Sequence, residues 1–158
     1  MVANNEIVVV GQDALRRTAR DLLAMAERAR DTSPAWRAWG EDVLHAFREQ
    51  FETEGLRLTG RAWSPLSPRY AAWKARHFPG QPILQRTGAM FAQVSHRPME
   101  VERVTASSGE YGLRGDVPRY HQHGTRKMPA RPIARVTQDL TVAAARRVRD
   151  HILHGMTR

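Results

Sequence analysis

The chain has 158 residues, 41% of them hydrophobic and 26% charged, which indicates one soluble globular domain over residues 1–158 and excludes a disordered chain. It contains no cysteine, which excludes disulfide bonds and thiolate metal sites and suits a reducing cytoplasm. The net charge is +9, and residues 114–158 contribute +7 of it through ten basic against three acidic residues. Such an excess favours an acidic or nucleic-acid partner, or is simply a solvated surface.

The N-terminal residues predict a short strand followed by a helix. Glu6–Val10 is a β-branched segment, and with the helix after it would form an N-terminal extension over residues 1–33. No basic region precedes it, so it does not resemble a secretory signal, and no apolar run approaches the ~20 residues of a membrane span. The helix spans Gln12 to Arg30. Its apolar positions form one stripe, made of Leu15, Ala19, Leu22, Leu23 and Ala26.

A second amphipathic helix is predicted to begin at Ser33-Pro34, where an N-cap residue precedes a first-turn proline, and to end before Gly55. Because aromatic residues in helical register usually pack inside, we expect this helix to supply the core. Its apolar positions are Trp36, Trp39, Val43, Phe47 and Phe51.

The segment Gly60–Met90 differs from the rest of the chain in composition. It holds four prolines, two tryptophans and several basic residues but no acidic residue. Each proline fixes φ and removes a backbone donor, so neither a long helix nor a strand fits. We predict a proline-braced loop around one short helix, Arg69–Arg76. Loops of this kind usually carry an interaction.

The C-terminal half predicts a small sheet and a final helix. Alternating residues over Met99–Ala106, a Ser-Ser-Gly turn and Glu110–Arg114 indicate an antiparallel hairpin, with a third strand near Arg119–His123. A helix follows from Gln138 to His154, and Gly155 ends it. The fold class is therefore α+β: a small antiparallel β-sheet packed with two to three longer helices and a proline-braced loop.

Four short motifs, grouped in three segments, occur in a fixed order along the chain. WSPLSP at residues 63–68 is followed by Tyr70 and Trp73-Lys74, then ILQRTG at residues 83–88 precedes Met90. YHQHG at residues 120–124 and PARPI at residues 129–133 complete the series. This order resembles the phage virion morphogenesis family, the tail-completion and neck proteins of Mu-like and related tailed phages. The resemblance covers roughly residues 34–154.

The resemblance implies a structural virion protein that acts in tail completion or head–tail joining, as a tail terminator or neck ring. It implies a homo-oligomeric ring, six-fold by expectation, whose neighbours are neck, connector or tail-tube proteins. Non-specific contact with packaged DNA is also expected. The protein would lie at the head–tail junction or tail end of the virion, and in the host cytoplasm during assembly.

Two groups of residues are candidates for these contacts. Pro129 and Pro132 bracket Arg131, which should present its guanidinium for a planar bidentate contact with a carboxylate, within the subunit or across an interface. The candidate subunit or partner interface comprises Trp63, Tyr70, Trp73, Lys74, Arg126, Lys127 and Arg131. The candidate lumen-lining or DNA-facing residues, on the expected solvent side of the last helix, are Arg146, Arg147 and Arg149.

The sequence gives little support for a metal site or an enzyme. His121 and His123 would face the same side of a strand and could bind zinc, but further ligands are lacking, so we expect no metal. No nucleophile elbow, P-loop or dinucleotide fingerprint occurs, and we expect neither a cofactor nor an enzyme. The alternative is a basic DNA-binding protein of phage or prophage origin, although no helix-turn-helix or other base-reading element is visible.

Overall fold

The computed structural model describes residues 11–155, so the strand predicted over Glu6–Val10 lies outside the described residues. The described part confirms an α+β fold, with seven helices and one two-stranded antiparallel sheet. No helix within it is long and apolar enough to cross a bilayer. The elements are α1 (Gln12–Arg30), α2 (Ser33–Glu52), α3 (Leu56–Thr59), α4 (Pro68–His77), α5 (Ala89–Ala92), β1 (Val101–Val104), β2 (Gly109–Gly112), α6 (Asp116–His123) and α7 (Gln138–His154).

Helix α2 is the central element of the core. As the sequence predicts, its apolar positions Trp39, Val43, Phe47 and Phe51 are buried. They pack with side chains from α7 and from the loops that precede β1 and α7. Trp39 also donates a hydrogen bond of 2.9 Å from Nε1 to the carbonyl oxygen of Leu140, which satisfies the indole at the junction of α2 and α7. Burial of each large apolar side chain contributes about 1.5–3 kcal/mol.

A glycine at the end of α2 brings the next segment close. Gly55 has φ of +110°, a conformation that other residues rarely adopt. A Cβ atom at this position would lie 2.6 Å from the Trp63 ring and 2.8 Å from the Trp63 nitrogen. Glycine is therefore required for the chain to turn and for Trp63 to pack against the end of α2.

The sheet is smaller than predicted. Strands β1 and β2 pair antiparallel from Val101 opposite Gly112 to Val104 opposite Gly109. The third strand predicted over residues 119–123 is wrong, because those residues belong to α6. Asp116 in the first turn and Pro118 near the helix start both favour a helix over this segment.

Arg97 connects the hairpin to α2. Its guanidinium donates to the carbonyl oxygen of Arg37 at 2.7 Å, to Glu41 at 2.8 Å and to Glu102 at 3.1 Å. Glu102 also accepts a 3.0 Å hydrogen bond from the Met99 nitrogen. The hydrogen bond from Arg97, more than the one from Met99, holds the pKa of Glu102 below its ordinary value of 4.5. The carboxylate is therefore bound more strongly in its charged form.

The variant Glu102→Gln tests this network. A lowered folded pKa stabilises the protein above pH 4.5, the ordinary value, and the contribution is lost as pH falls through the folded value. We expect the variant to be about 1–3 kcal/mol less stable than the natural protein at pH 7, with the difference shrinking below pH 4.5. Urea unfolding followed by tryptophan fluorescence between pH 3 and pH 7 measures it. The control is Glu110→Gln, whose ion pair with Arg103 is exposed and should change stability by less than about 1 kcal/mol.

Candidate functional site

The first and last motifs of the sequence meet inside the subunit. Trp63 is buried and packs edge-on against Phe51, with ring centroids 5.5 Å apart. Its Nε1 donates a 2.8 Å hydrogen bond to the carbonyl oxygen of Pro132. The WSPLSP and PARPI motifs, about 70 residues apart in sequence, are thus joined by a direct contact.

Arg131 strengthens the same junction. Its Nε donates to the carbonyl oxygen of Ser64 at 2.7 Å and its Nη2 to that of Pro65 at 2.9 Å. The two-pronged geometry expected of Arg131 is therefore present, but the acceptors are backbone carbonyls of its own chain and not a carboxylate. The side chain is buried, and burial lowers the pKa of Arg131. Arg131 acts within the subunit.

Two glutamines complete the junction, and neither was predicted from the sequence as a functional residue. Gln50 donates from Nε2 to the Pro132 oxygen and accepts from the Leu58 nitrogen, each at 2.8 Å. Gln122 donates to the Ala134 oxygen at 2.8 Å and accepts from the nitrogens of Ile133 and Ala134. A signal existed for Gln50, because it lies on the Phe47–Phe51 face of α2, where a polar residue must find buried partners.

Lys74 is also an interior residue. It is 5% exposed, and its ammonium group donates to the carbonyl oxygen of Pro82. Burial lowers the pKa of Lys74, and Glu54 nearby partly opposes this. As a correction to the proposed interface, Trp63, Lys74 and Arg131 are therefore enclosed in the subunit. Their nitrogen atoms donate hydrogen bonds to backbone carbonyl oxygens, which in these proline-rich segments have no partner in a helix or sheet.

Tyr70 and Trp73 lie on the surface, each 39% exposed. Their rings are stacked with centroids 5.5 Å apart, and Trp73 stacks in turn on His77 at 4.7 Å. We call these three residues the aromatic plate. Unlike Trp63, neither Tyr70 nor Trp73 is buried in the core. An exposed row of rigid rings is instead typical of a protein contact surface.

Arg126 and Lys127 lie at the exposed tip of a tight turn. Thr125 and Met128 close the turn by two hydrogen bonds, of 2.8 and 3.2 Å, between their backbones. Gly124 begins it with φ of +74°, and a Cβ atom there would lie 2.8 Å from the Ala130 nitrogen. The two cations are thus held on a stiff projection, which we call the basic turn.

A cavity of about 530 Å³ lies among α4, α5 and α6. Tyr70, Arg86, Arg114 and His121 are among its lining residues. Burial, and to a lesser extent Arg131, lowers the pKa of His121, which favours a neutral ring.

His121 and His123 lie on a helix, where residues two apart point in different directions, so the facing pair that the strand prediction required does not form. No cluster of three metal-ligating side chains occurs within residues 11–155.

The three arginines of α7 have different surroundings. Arg147 forms a two-pronged ion pair with Asp42 of α2, at 3.1 and 3.2 Å. This hydrogen bonding raises the pKa of Arg147, and the charge takes part in the contact between α2 and α7. The prediction that Arg147 lies on the solvent side of α7 is therefore only partly correct. Arg149 binds Asp150 at 2.7 Å, and Arg146 is exposed. The basic surface of α7 is therefore weaker than the count of arginines suggests.

The fold and this junction define a small α+β protein whose sequence motifs build its interior and whose aromatic and basic side chains project outward. The sequence model described as the phage virion morphogenesis family matches residues 10–154. The chain belongs to that family, and its role lies in the assembly of a phage virion. No curated protein and no solved structure matches the chain.

The variant Arg131→Lys tests the junction. Lysine keeps the charge but cannot reach both the Ser64 and Pro65 oxygens in one plane, so we expect a loss of about 1–3 kcal/mol in unfolding free energy. Urea unfolding measures it. The matched control is Arg126→Lys at the exposed tip of the basic turn, where the same replacement should leave stability within about 0.5 kcal/mol. Equal effects at the two positions would contradict the structural role of Arg131.

Proposed function

We propose that this protein completes the tail or joins head and tail of a phage particle, and that it does so as a homo-oligomeric ring, most simply of six subunits. Membership of the phage virion morphogenesis family carries the proposal. The positions of the side chains support the proposal. The motifs form a rigid frame inside the subunit, while the aromatic plate and the basic turn face outward. Neck, connector or tail-tube proteins are the proposed neighbours.

The aromatic plate is the proposed anchor for an adjoining virion protein. Tyrosine and tryptophan dominate the energetic centres of protein interfaces because they bury much area with few rotatable bonds. Arg69 and Arg76 are exposed on the same helix, and the surrounding segment 60–90 has no acidic residue. An acidic partner surface would therefore complement this side of the subunit.

The protein is proposed to have no catalytic activity. The polar side chains of the family motifs, above all Arg131 and Gln122, bind backbone groups that the fold would otherwise leave without partners. A general acid or base must instead be free to reach a substrate. The geometry supports positioning of chain segments rather than chemistry.

Binding of DNA is the second candidate, favoured by the exposed basic turn and by Arg146. Such binding would be non-specific and would fall steeply with salt, since it depends on phosphate contacts. A titration of duplex DNA at several salt concentrations separates the two functions. Tight binding that prefers one sequence at physiological salt would favour a DNA-binding protein over a virion component.

Particles assembled without this protein test the main proposal. We expect filled heads together with separate or aberrant tails in electron micrographs, because the joint between them is not completed. Complementation with the natural gene should restore infectious particles. Intact, infectious particles in its absence would overturn the proposal.

Complementation with Trp73→Ala tests the aromatic plate. We expect the infectious titre to fall at least tenfold while the purified variant stays folded, because about 2 kcal/mol or more is lost when an aromatic anchor is truncated. The control is Val136→Ala, which removes exposed apolar atoms elsewhere on the surface. Full titre with Trp73→Ala would remove the plate from the proposed interface.

A further inference from the structure

Helix α1 carries an apolar stripe that its own subunit leaves uncovered. Leu15, Leu22 and Leu23 are 71%, 59% and 69% exposed, and Ala19 and Ala26 between them are exposed as well. Within the described residues, no side chain of this helix is buried. The periodicity that the sequence shows is therefore real, but the subunit supplies no surface for it to pack against.

The subunit holds α1 by a different face. Arg28 donates from Nε to the carbonyl oxygen of Ile152 at 2.8 Å and from Nη2 to that of Leu153 at 3.0 Å. Met25 and Arg28 are partly covered, and they lie about a quarter turn or more around the helix from Leu15 and Leu23. The attachment thus leaves the stripe free for another molecule.

A second apolar surface lies on α7. Shallow and open, it is floored by the small side chains of Ala144, Ala145 and Val148, with Trp36 and Ile152 also among its lining residues. Arg149 at this groove is bound to Asp150 at 2.7 Å, so its charge is compensated locally. A groove floored by alanines can accept the branched side chains of a facing helix.

We propose that the α1 stripe of one copy packs into the α7 groove of a second copy, which supplies the subunit contact of the proposed ring. The stripe from residue 15 to residue 26 is about 17 Å long and the groove from residue 144 to residue 153 about 14 Å, so the two match in length. Every copy carries both surfaces, and this one arrangement covers both. A contact between two α1 stripes would leave each groove open.

The proposed contact is heterologous, because it joins two different surfaces. Repetition of such a contact generates a closed ring or an open helix, depending on the rotation between neighbours. A helix about 17 Å long that buries half of its circumference covers about 300 Å² on each side. Since that is below the roughly 800 Å² per partner of a standard interface, association should depend on protein concentration and be completed by further contacts in the particle.

Cysteine cross-linking tests the contact cleanly, because the natural chain contains no cysteine. The full-length double variant Ala19→Cys/Ala145→Cys, exposed to mild oxidant, should form dimers and a ladder of larger species in denaturing gels. Each single variant should remain monomeric. Dimers from Ala19→Cys alone would indicate paired α1 stripes and overturn the proposal, and so would a double variant that forms no ladder.

A charge placed in the stripe gives a second measurement. Leu22→Glu should raise the concentration needed for self-association at least tenfold in sedimentation velocity, while circular dichroism stays unchanged because Leu22 is exposed. Ala24→Glu makes the same change in charge on the far side of α1 and should have no such effect. Equal behaviour of the two variants would overturn the proposal. The proposed function would survive that result if particles lacking the protein still had unjoined tails.

Discussion

The carbonyl oxygen of Pro132 is the point on which the arrangement of the subunit depends. It accepts hydrogen bonds from the indole of Trp63 and the amide of Gln50, both at 2.8 Å. Each such bond contributes only about 1 kcal/mol, but a buried group left without a partner costs about 1–3 kcal/mol. Correct folding must therefore bring α2, the WSPLSP motif and the PARPI motif together at once.

The neighbouring contacts follow from this constraint. Once Pro132 is fixed, Arg131 before it lies beside the Ser64 and Pro65 carbonyls, and Ile133 after it enters the core. Gln122 then binds the backbone on the far side of Ile133. The side chains and backbone groups of these segments therefore satisfy one another's hydrogen bonds. The frame that they form leaves α4 and the turn at residues 125–128 on the outside. The residues available to a partner are those the frame does not use.

The four longest helices were the most predictable part of the fold, whereas α3 and α5 were not predicted and α6 was predicted as a strand. Periodicity and end signals placed α1 and α7 at the bounds the structure shows, and the short helix in the proline-braced loop within one residue at each end. The third strand predicted near Arg119–His123 was wrong because Asp116 and Pro118 just before it favour the start of a helix. The hairpin was correct in kind but shorter, since the Glu100 nitrogen donates to the Gln93 oxygen and the Ala106 oxygen accepts from the Thr32 nitrogen instead of pairing across the sheet.

The sequence by itself identified the features that matter: the arginine between two prolines, the tryptophans of the segment without acidic residues and the apolar stripe of α1. Only the tertiary structure decided which of them face inward, because burial depends on partners distant in sequence. Trp63 and Trp73 differ by ten positions, yet one binds Pro132 in the core and the other stacks on the surface. Likewise, α1 and α2 show the same period, but only α2 has a surface in its own subunit to cover its stripe.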